Sequence, residues 1–347
     1  MDFDQRNSMA GPPPVGPPLG FGTNPPAARP SGSGWRIFLS IMLVLSVIAN
    51  VLMFVMLIGL LAVFATGQRD VLAEQVVREG PSRNRIAMVT VQGIIHGDLA
   101  NDVYRQLKAA REDRRVKGVI IRVNSPGGTI SASDQIYKEI QKYREEVKKP
   151  VVAFMQGVAA SGGYYTSVAC EKIVAEPTTL TGSIGVISGW FVVRELLEEK
   201  LGILPVTVKS GQKKDWPSSF REPVPEELTY MQDKLITPAY ERFLQIVAEG
   251  RKESLTPEEV RQLSDGSIYG AQEALEVKLI DEIGYLDRAV EMVKSMAGID
   301  EAEVVEFRKP FSLADFLSYR SASLPKLDRN MLYELGTPQV LYLWSAY

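Results

Sequence analysis

Ser161 stands among small residues in Ala159-Ala160-Ser161-Gly162-Gly163-Tyr164-Tyr165, and a second glycine pair lies upstream in Asn124-Ser125-Pro126-Gly127-Gly128. Each follows an apolar run, Val-Ile-Ile-Arg-Val at 119–123 and Val-Val-Ala-Phe-Met at 151–155. A glycine leaves its backbone N–H open to a ligand, with no Cβ in the way. A serine hydroxyl beside such donors has the parts needed for acyl transfer: a nucleophile, and N–H groups to hold the oxyanion that forms when it attacks a carbonyl. The N–H of Gly162 and one from Gly128 are the candidate donors. The competing reading makes Ser161 only the N-cap of a helix over 162–170 and the glycines only tight turns. Neither loop matches Gly-x-x-x-x-Gly-Lys-Ser/Thr or Gly-x-Gly-x-x-Gly, which argues against a nucleotide.

A serine nucleophile needs a base, and candidates are few. His96 is the sole histidine and Cys170 the sole cysteine. No intrachain disulfide can form, a metal site of several His or Cys ligands is excluded, and a Ser-His-Asp triad would have to use His96, placed at the end of an expected strand. No cofactor is implied. Lysine acts as a base only when neutral, which requires burial or a neighbouring cation. Val208-Lys209-Ser210-Gly211-Gln212-Lys213-Lys214-Asp215 follows a strand expected at 206–209. Three lysines near one aspartate also suit a solvated loop, and the residues alone do not choose among them. In Thr178-Thr-Leu-Thr-Gly-Ser183-Ile-Gly-Val, Ser183 either orients a neutral amine or serves a turn.

The elements that must position these groups are partly legible. The chain has 347 residues, 45% of them hydrophobic, and a net charge of −3, enough apolar material for a sizeable core and no electrostatic reason to bind nucleic acid. Residues 1–34 are rich in Pro and Gly and read as a disordered tail. Residues 37–64 are free of charge, and about 20 apolar residues cross a bilayer, so a transmembrane anchor over 35–66 is expected rather than a cleaved signal peptide with its shorter core. Arg29 and Arg36 precede it, which puts the tail in the cytoplasm and the main domain on the exported side. A linker follows over 67–85, in which Val71, Leu72, Val76 and Val77 suggest a short amphipathic helix. Strands expected at 86–91, 118–123 and 151–155 alternate with helical spacing such as Ile136, Ile140, Tyr143 and Val147, giving an α/β fold with a mostly parallel sheet and crossover helices. In such sheets sites gather at the carboxyl ends of strands, where both glycine loops lie. Thr256-Pro-Glu-Glu259 has the form of a capping box.

Asn-Ser-Pro-Gly-Gly, Ala-Ala-Ser-Gly-Gly-Tyr-Tyr, Leu-Thr-Gly-Ser-Ile-Gly-Val and Lys-Ser-Gly-x-x-Lys-Asp, in this order, closely resemble bacterial signal peptide peptidase A, serine peptidase family S49. The likeness runs from about residue 86 to 296. Residues 299–347, apolar at Val340-Leu-Tyr-Leu-Trp344, read as a C-terminal extension that serves packing or an interface. The resemblance implies a ClpP/crotonase-like domain over 86–298. It also implies a Ser/Lys dyad, with the serine at Ser161 and the lysine, immediately before Asp215, at Lys214. Gly128 falls on the family's oxyanion donor and Ser183 on the serine that supports the lysine. Trp216-Pro217 departs from the aliphatic or small residue usual after Lys-Asp. The resemblance further implies the short form of the family, dome-like homo-oligomeric rings that share each dyad between neighbouring subunits, and remnant signal peptides at the membrane as substrates. The rivals are a crotonase-like acyl-CoA enzyme, against which the Ser/Lys pairing and the anchor count, and an inactive membrane scaffold, against which the full set of catalytic positions counts.

Overall fold

The computed structural model describes residues 33–66, 72–308 and 339–344. The Pro-rich tail, residues 67–71 of the linker and residues 309–338 of the extension lie outside the described residues. The chain divides into two units, the first ending at Gly67. Its helix, α1 (Ser33–Thr66), contains a 28-residue stretch long and apolar enough to cross a membrane by length and composition.

The second unit begins with β1 (Ala73–Arg78), β2 (Arg85–Gln92), α2 (Gly97–Glu112), β3 (Val116–Ser125), β4 (Gly127–Thr129) and α3 (Ile130–Val147). Next come β5 (Val151–Ala160), α4 (Gly162–Ser167), β6 (Lys172–Ala175), β7 (Leu180–Gly182) and β8 (Ile187–Gly189). After a long arm follow α5 (Pro225–Met231), α6 (Thr237–Gly250), α7 (Pro257–Gln262), β9 (Ile268–Gly270) and α8 (Ala271–Glu276). The last elements are β10 (Glu282–Ile283), α9 (Leu286–Ala297), β11 (Glu303–Arg308) and β12 (Gln339–Leu343). The main sheet runs β1-β11-β2-β3-β5-β6-β10, and β7 continues beside the end of β5. The pairs from β11 to β10 are parallel; β1 and β9 join antiparallel.

The strands carry nearly continuous apolar runs because both faces are covered. Alternate residues feed two cores. Ala87, Val89, Ile121 and Ala153 face one, with α2 and α3, while Met88, Ile120, Val152 and Phe154 face the other, beneath Val290 and Val293 of α9. The strands expected at 86–91, 118–123 and 151–155 are present, and β5 extends five residues beyond its expected end, delivering the chain directly to Ser161. The capping box forms with both its hydrogen bonds and a proline at the helix start.

Three local expectations are corrected. The segment with Leu72, Val76 and Val77 forms no helix; it enters strand β1 and pairs with β11, a partner more than 200 residues away that local periodicity cannot reveal. Residues 206–209 form no strand: Val206 is 78% and Val208 95% exposed, β-branched residues with no sheet edge to join. The helix after Ser161 also ends at Ser167 rather than 170.

Arg85 locks the near end of the sheet, donating to Glu303 at 2.8 Å, Glu74 at 3.0 Å and Asp113 at 3.1 Å. Burial of Asp113 would raise its pKa, but hydrogen bonds from Arg115 and Arg85 outweigh it and hold the carboxyl at about 2, below the ordinary 3.8. Stability from a depressed carboxyl is fully present above its unfolded pKa and lost as pH falls through the folded value. Asp113→Asn should therefore cost about 2 kcal/mol at pH 7. Chemical denaturation of the two proteins should show that gap narrowing as pH drops from 3.8 towards about 2.

Candidate active site

β5 ends at Ala160 and the chain turns sharply through Ser161 into α4. Ser161 has φ 52° and ψ −115°, a conformation that non-glycine residues avoid and that persists only where surroundings impose it. Two backbone bonds impose it here: the Ser161 N–H donates to the Gly182 carbonyl, and the Tyr165 N–H donates to the Ser161 carbonyl, both at 2.8 Å. The side chain makes no capping bond, so the N-cap reading fails. Its Oγ is buried without a hydrogen-bond partner. A buried orphan hydroxyl on a strained residue costs stability, and such costs gather where chemistry is done.

The other glycine loop folds against this turn. The Gly127 N–H donates to Ser125 Oγ at 3.0 Å, which shapes the entry to β4. Gly127 has φ +103°, and a Cβ there would collide with the Tyr342 carbonyl and crowd the Gly162 nitrogen. The Thr129 N–H donates to Ile95, and the Ile95 N–H to Gly127, both at 2.8 Å. The N–H and carbonyl of Gly128 consequently face the other way, towards β12, where Gly128 is in register with Tyr342. A Cβ on Gly162 would stand 3.1 Å from the same Tyr342 oxygen. One peptide carbonyl thus lies against Gly127, Gly128 and Gly162, next to Ser161.

That carbonyl belongs to an extended segment. β12 runs antiparallel to β4 on one side and to β8 on the other. The Tyr342 side chain is fully buried, stacked on Tyr165 with ring centres 4.9 Å apart and tilted on Phe243 at 4.7 Å. Its hydroxyl donates to the Ala239 carbonyl at 2.7 Å. Burial pushes the Tyr342 phenol pKa up, and that of Tyr165 rises through burial and its 2.6 Å bond to Asp134. This aromatic pocket was not read from the sequence. Tyr165 was quoted there only within a glycine motif, and the apolar chain end only as packing or an interface; the aromatic pair Tyr164-Tyr165 next to a candidate nucleophile was the available signal.

Ser183 lies beside this centre, one residue after the Gly182 carbonyl that holds Ser161. It has φ 49°, its N–H donates to Ser267 at 2.7 Å, and its hydroxyl has no partner among the described residues. Four of the five expected site residues, Ser161, Gly162, Gly128 and Ser183, therefore converge. Lys214 does not join them within one chain. It sits on the exposed 3-10 turn Gln212–Asp215, and its side-chain amine makes no hydrogen bond or ion pair among the described residues. The neighbouring lysines are engaged. Lys209 donates to Asp215 at 2.7 Å, and the Lys213 ammonium lies 4.4 Å from the Tyr230 ring centre and 5.2 Å from that of Trp216. An ammonium over aromatic faces is attracted by the rings, so Lys213 is engaged on its own element. His96 is exposed at the start of α2, with no capping bond from its side chain.

Comparison with known proteins gives the class first. A Clp protease model matches residues 79–179, the strands and loops that carry Ser161, and the fold is that of a serine protease. The peptidase family S49 model matches residues 143–300. A putative signal peptide peptidase SppA of Enterococcus faecium is 37% identical over 248 residues, 68% of this chain and 71% of the relative. A putative protease of Synechocystis is 37% identical over 233 residues, 66% of this chain and 82% of the relative. The chloroplastic serine protease SPPA of Arabidopsis thaliana is 34% identical over 272 residues, 77% of this chain and 39% of the relative. The chain belongs to peptidase family S49.

The close approach at Gly127 is directly testable. Gly127→Ala should lower peptide hydrolysis by more than about 100-fold, since its Cβ would invade the space of the bound carbonyl. Steady-state kinetics on a chromogenic peptide, with circular dichroism to verify folding, measures this.

Proposed function

We propose that this protein is a membrane-anchored endopeptidase in which Ser161 is the nucleophile and Lys214, supplied by a second copy, the general base. Its substrates are apolar peptides at the membrane, remnant signal peptides above all. The observation that carries this reading is the pose of β12, an extended chain between β4 and β8 whose Tyr342 carbonyl lies at the glycine loops beside the orphaned Ser161 hydroxyl. A substrate peptide laid the same way presents its scissile carbonyl there and an aromatic or apolar side chain to the pocket of Tyr165 and Phe243.

The chemistry follows. Ser161 Oγ attacks the carbonyl carbon while its proton passes to the neutral Lys214 amine, and the N–H groups of Gly128 and Gly162 hold the oxyanion. The tetrahedral intermediate collapses, the C–N bond breaks, and the protonated lysine gives its proton to the leaving amine. Water, deprotonated by the same lysine, then hydrolyses the acyl-enzyme. Ser183, whose hydroxyl is free, accepts or donates a hydrogen bond that orients the lysine amine.

Two features support assembly and anchoring. The arm exposes Phe191, Leu196, Leu201, Leu204, Val206 and Val208, an apolar surface that a second copy would cover while drying Lys214. The resemblance in sequence points to a homo-oligomeric ring built this way. Helix α1 suits a single-pass anchor in a bacterial cytoplasmic membrane, with the catalytic unit on the exported side. Confining enzyme and apolar substrate to one surface raises their effective concentration.

Ser161→Ala and Lys214→Ala should each cut turnover by at least about 1000-fold, as loss of a nucleophile or its base does. Lys213→Ala should keep most of it. Wild-type rates should climb towards alkaline pH as the base sheds its proton. Full turnover by Lys214→Ala would remove the dyad.

A further inference from the structure

If Lys214 is the base, something must hold its turn in place, because the arm around it has almost no core. Between residues 191 and 230 only Ser219 and Glu227 are buried. Glu227 is the anomaly. Its side chain is 0% exposed, and one carboxylate oxygen, Oε1, has no partner. The other accepts from Arg221 Nη1 at 2.6 Å. Burying a charged pair costs heavily in desolvation, and replacing it with apolar residues is often neutral or better, so such a pair is a poor device for stability alone.

Arg221 links that buried carboxylate to the lysine turn. Its Nη2 donates to the Asp215 backbone carbonyl at 3.4 Å, and its Nε lies 3.7 Å from the Asp215 carboxylate. The opposite side of the turn is held by Lys209, which donates to the Gln212 carbonyl at 3.2 Å and to Asp215 at 2.7 Å. The Lys213 ammonium is caged by Trp216 and Tyr230, whose rings meet edge to face at 5.6 Å. Of the three lysines at this turn, Lys209 and Lys213 are tied down, while the Lys214 amine has no partner among the described residues. We propose that Arg221, anchored by Glu227, is the positioning residue that fixes the Lys214 turn so that its amine reaches Ser161. The proposal rests on Lys214 being the base.

The planar guanidinium suits this role, because one group spans a carboxylate on α5 and both a carbonyl and a carboxylate on the turn. A misplaced base costs turnover steeply, while the peptide groove between β4 and β8 contains none of these residues. Binding and turnover should therefore separate.

The experiment uses the full-length protein in detergent micelles, with a chromogenic peptide, from pH 6 to pH 10. Active sites are counted by titration with a fluorophosphonate. Arg221→Ala should lower kcat per labelled site by about 10- to 100-fold with KM within about twofold. The pH at half-maximal rate should move upward, because a mobile lysine turn exposes the amine to water. Arg221→Lys, which keeps the charge but not the fork, should recover part of the rate. Glu227→Gln, which keeps the shape and loses the charge, should show the same upward shift. A purely structural role would lower the number of active sites and leave kcat per site, KM and the pH midpoint unchanged; that outcome overturns the proposal. Should Arg221→Ala fail to assemble, Glu227→Gln and Arg221→Lys give the same decision. Lys214→Ala is run alongside. An inactive Lys214→Ala beside normal Arg221 and Glu227 variants sinks the positioning role alone, and an active Lys214→Ala sinks both readings.

Discussion

The parallel ladder between β3 and β5 is the constraint on which the site depends. It pairs Val119 with Val151 and continues to Val123 with Met155, then resumes after an irregularity at Ser125 with Ala159. Because the two strands point the same way, both glycine loops leave the sheet at one end. Antiparallel strands would have put them at opposite ends and taken the Gly127–Gly128 loop away from Ser161. The irregularity matters too, since it lets the Gly127–Gly128 strand peel away from the sheet and offer its free edge to β12. The buried β-branched residues that make this ladder have no catalytic role, yet they set the separation of the groups that do.

A fold that stores strain at one serine must hold it from several sides. The Ser161 backbone is pinned by Gly182 of β7 and by Tyr165 of α4. Gly162 is closely packed: a Cβ there would stand 2.6 Å from the Ser133 hydroxyl of α3 and 3.1 Å from both the Gly127 Cα and the Tyr342 carbonyl oxygen. The proposed nucleophile is thus fixed by the rigid core. The proposed base is held otherwise, on a polar clamp within an arm that has little core of its own. In the proposed mechanism, dividing the pair this way would couple chemistry to assembly, since the Lys214 amine of an isolated chain is exposed and contact between copies would bring it to Ser161. Such an arrangement would limit hydrolysis before assembly.

The sequence showed those parts whose signals are local. The apolar runs at 119–123 and 151–155, the glycine pairs and the capping box at Thr256 all depend on neighbours within a few residues, and all appear as read. What was misread depends on distant partners. Strand β1 looked like an amphipathic helix because its partner β11 is far along the chain, and two-residue spacing over six residues is easily confused with a helical turn. Residues 206–209 looked like a strand because β-branched residues favour one, but propensity without an edge to pair with yields an exposed loop. The aromatic pocket joins α4, α6 and β12, so no window of sequence contains it. The choice among Lys209, Lys213 and Lys214 was open from composition. The resemblance selected Lys214, and the contacts of the other two lysines independently leave it as the free amine.

The central claim is that Ser161 of one copy works with Lys214 of another. Complementation between two inactive proteins tests it most directly. Ser161→Ala and Lys214→Ala chains are unfolded together, refolded into common assemblies in micelles, and assayed for peptide hydrolysis per assembly. The account predicts that the mixture regains a substantial fraction of wild-type activity, from sites that combine an intact serine on one chain with an intact lysine on its neighbour. A mixture as inactive as its components, beside wild-type protein that survives the same treatment, would contradict it.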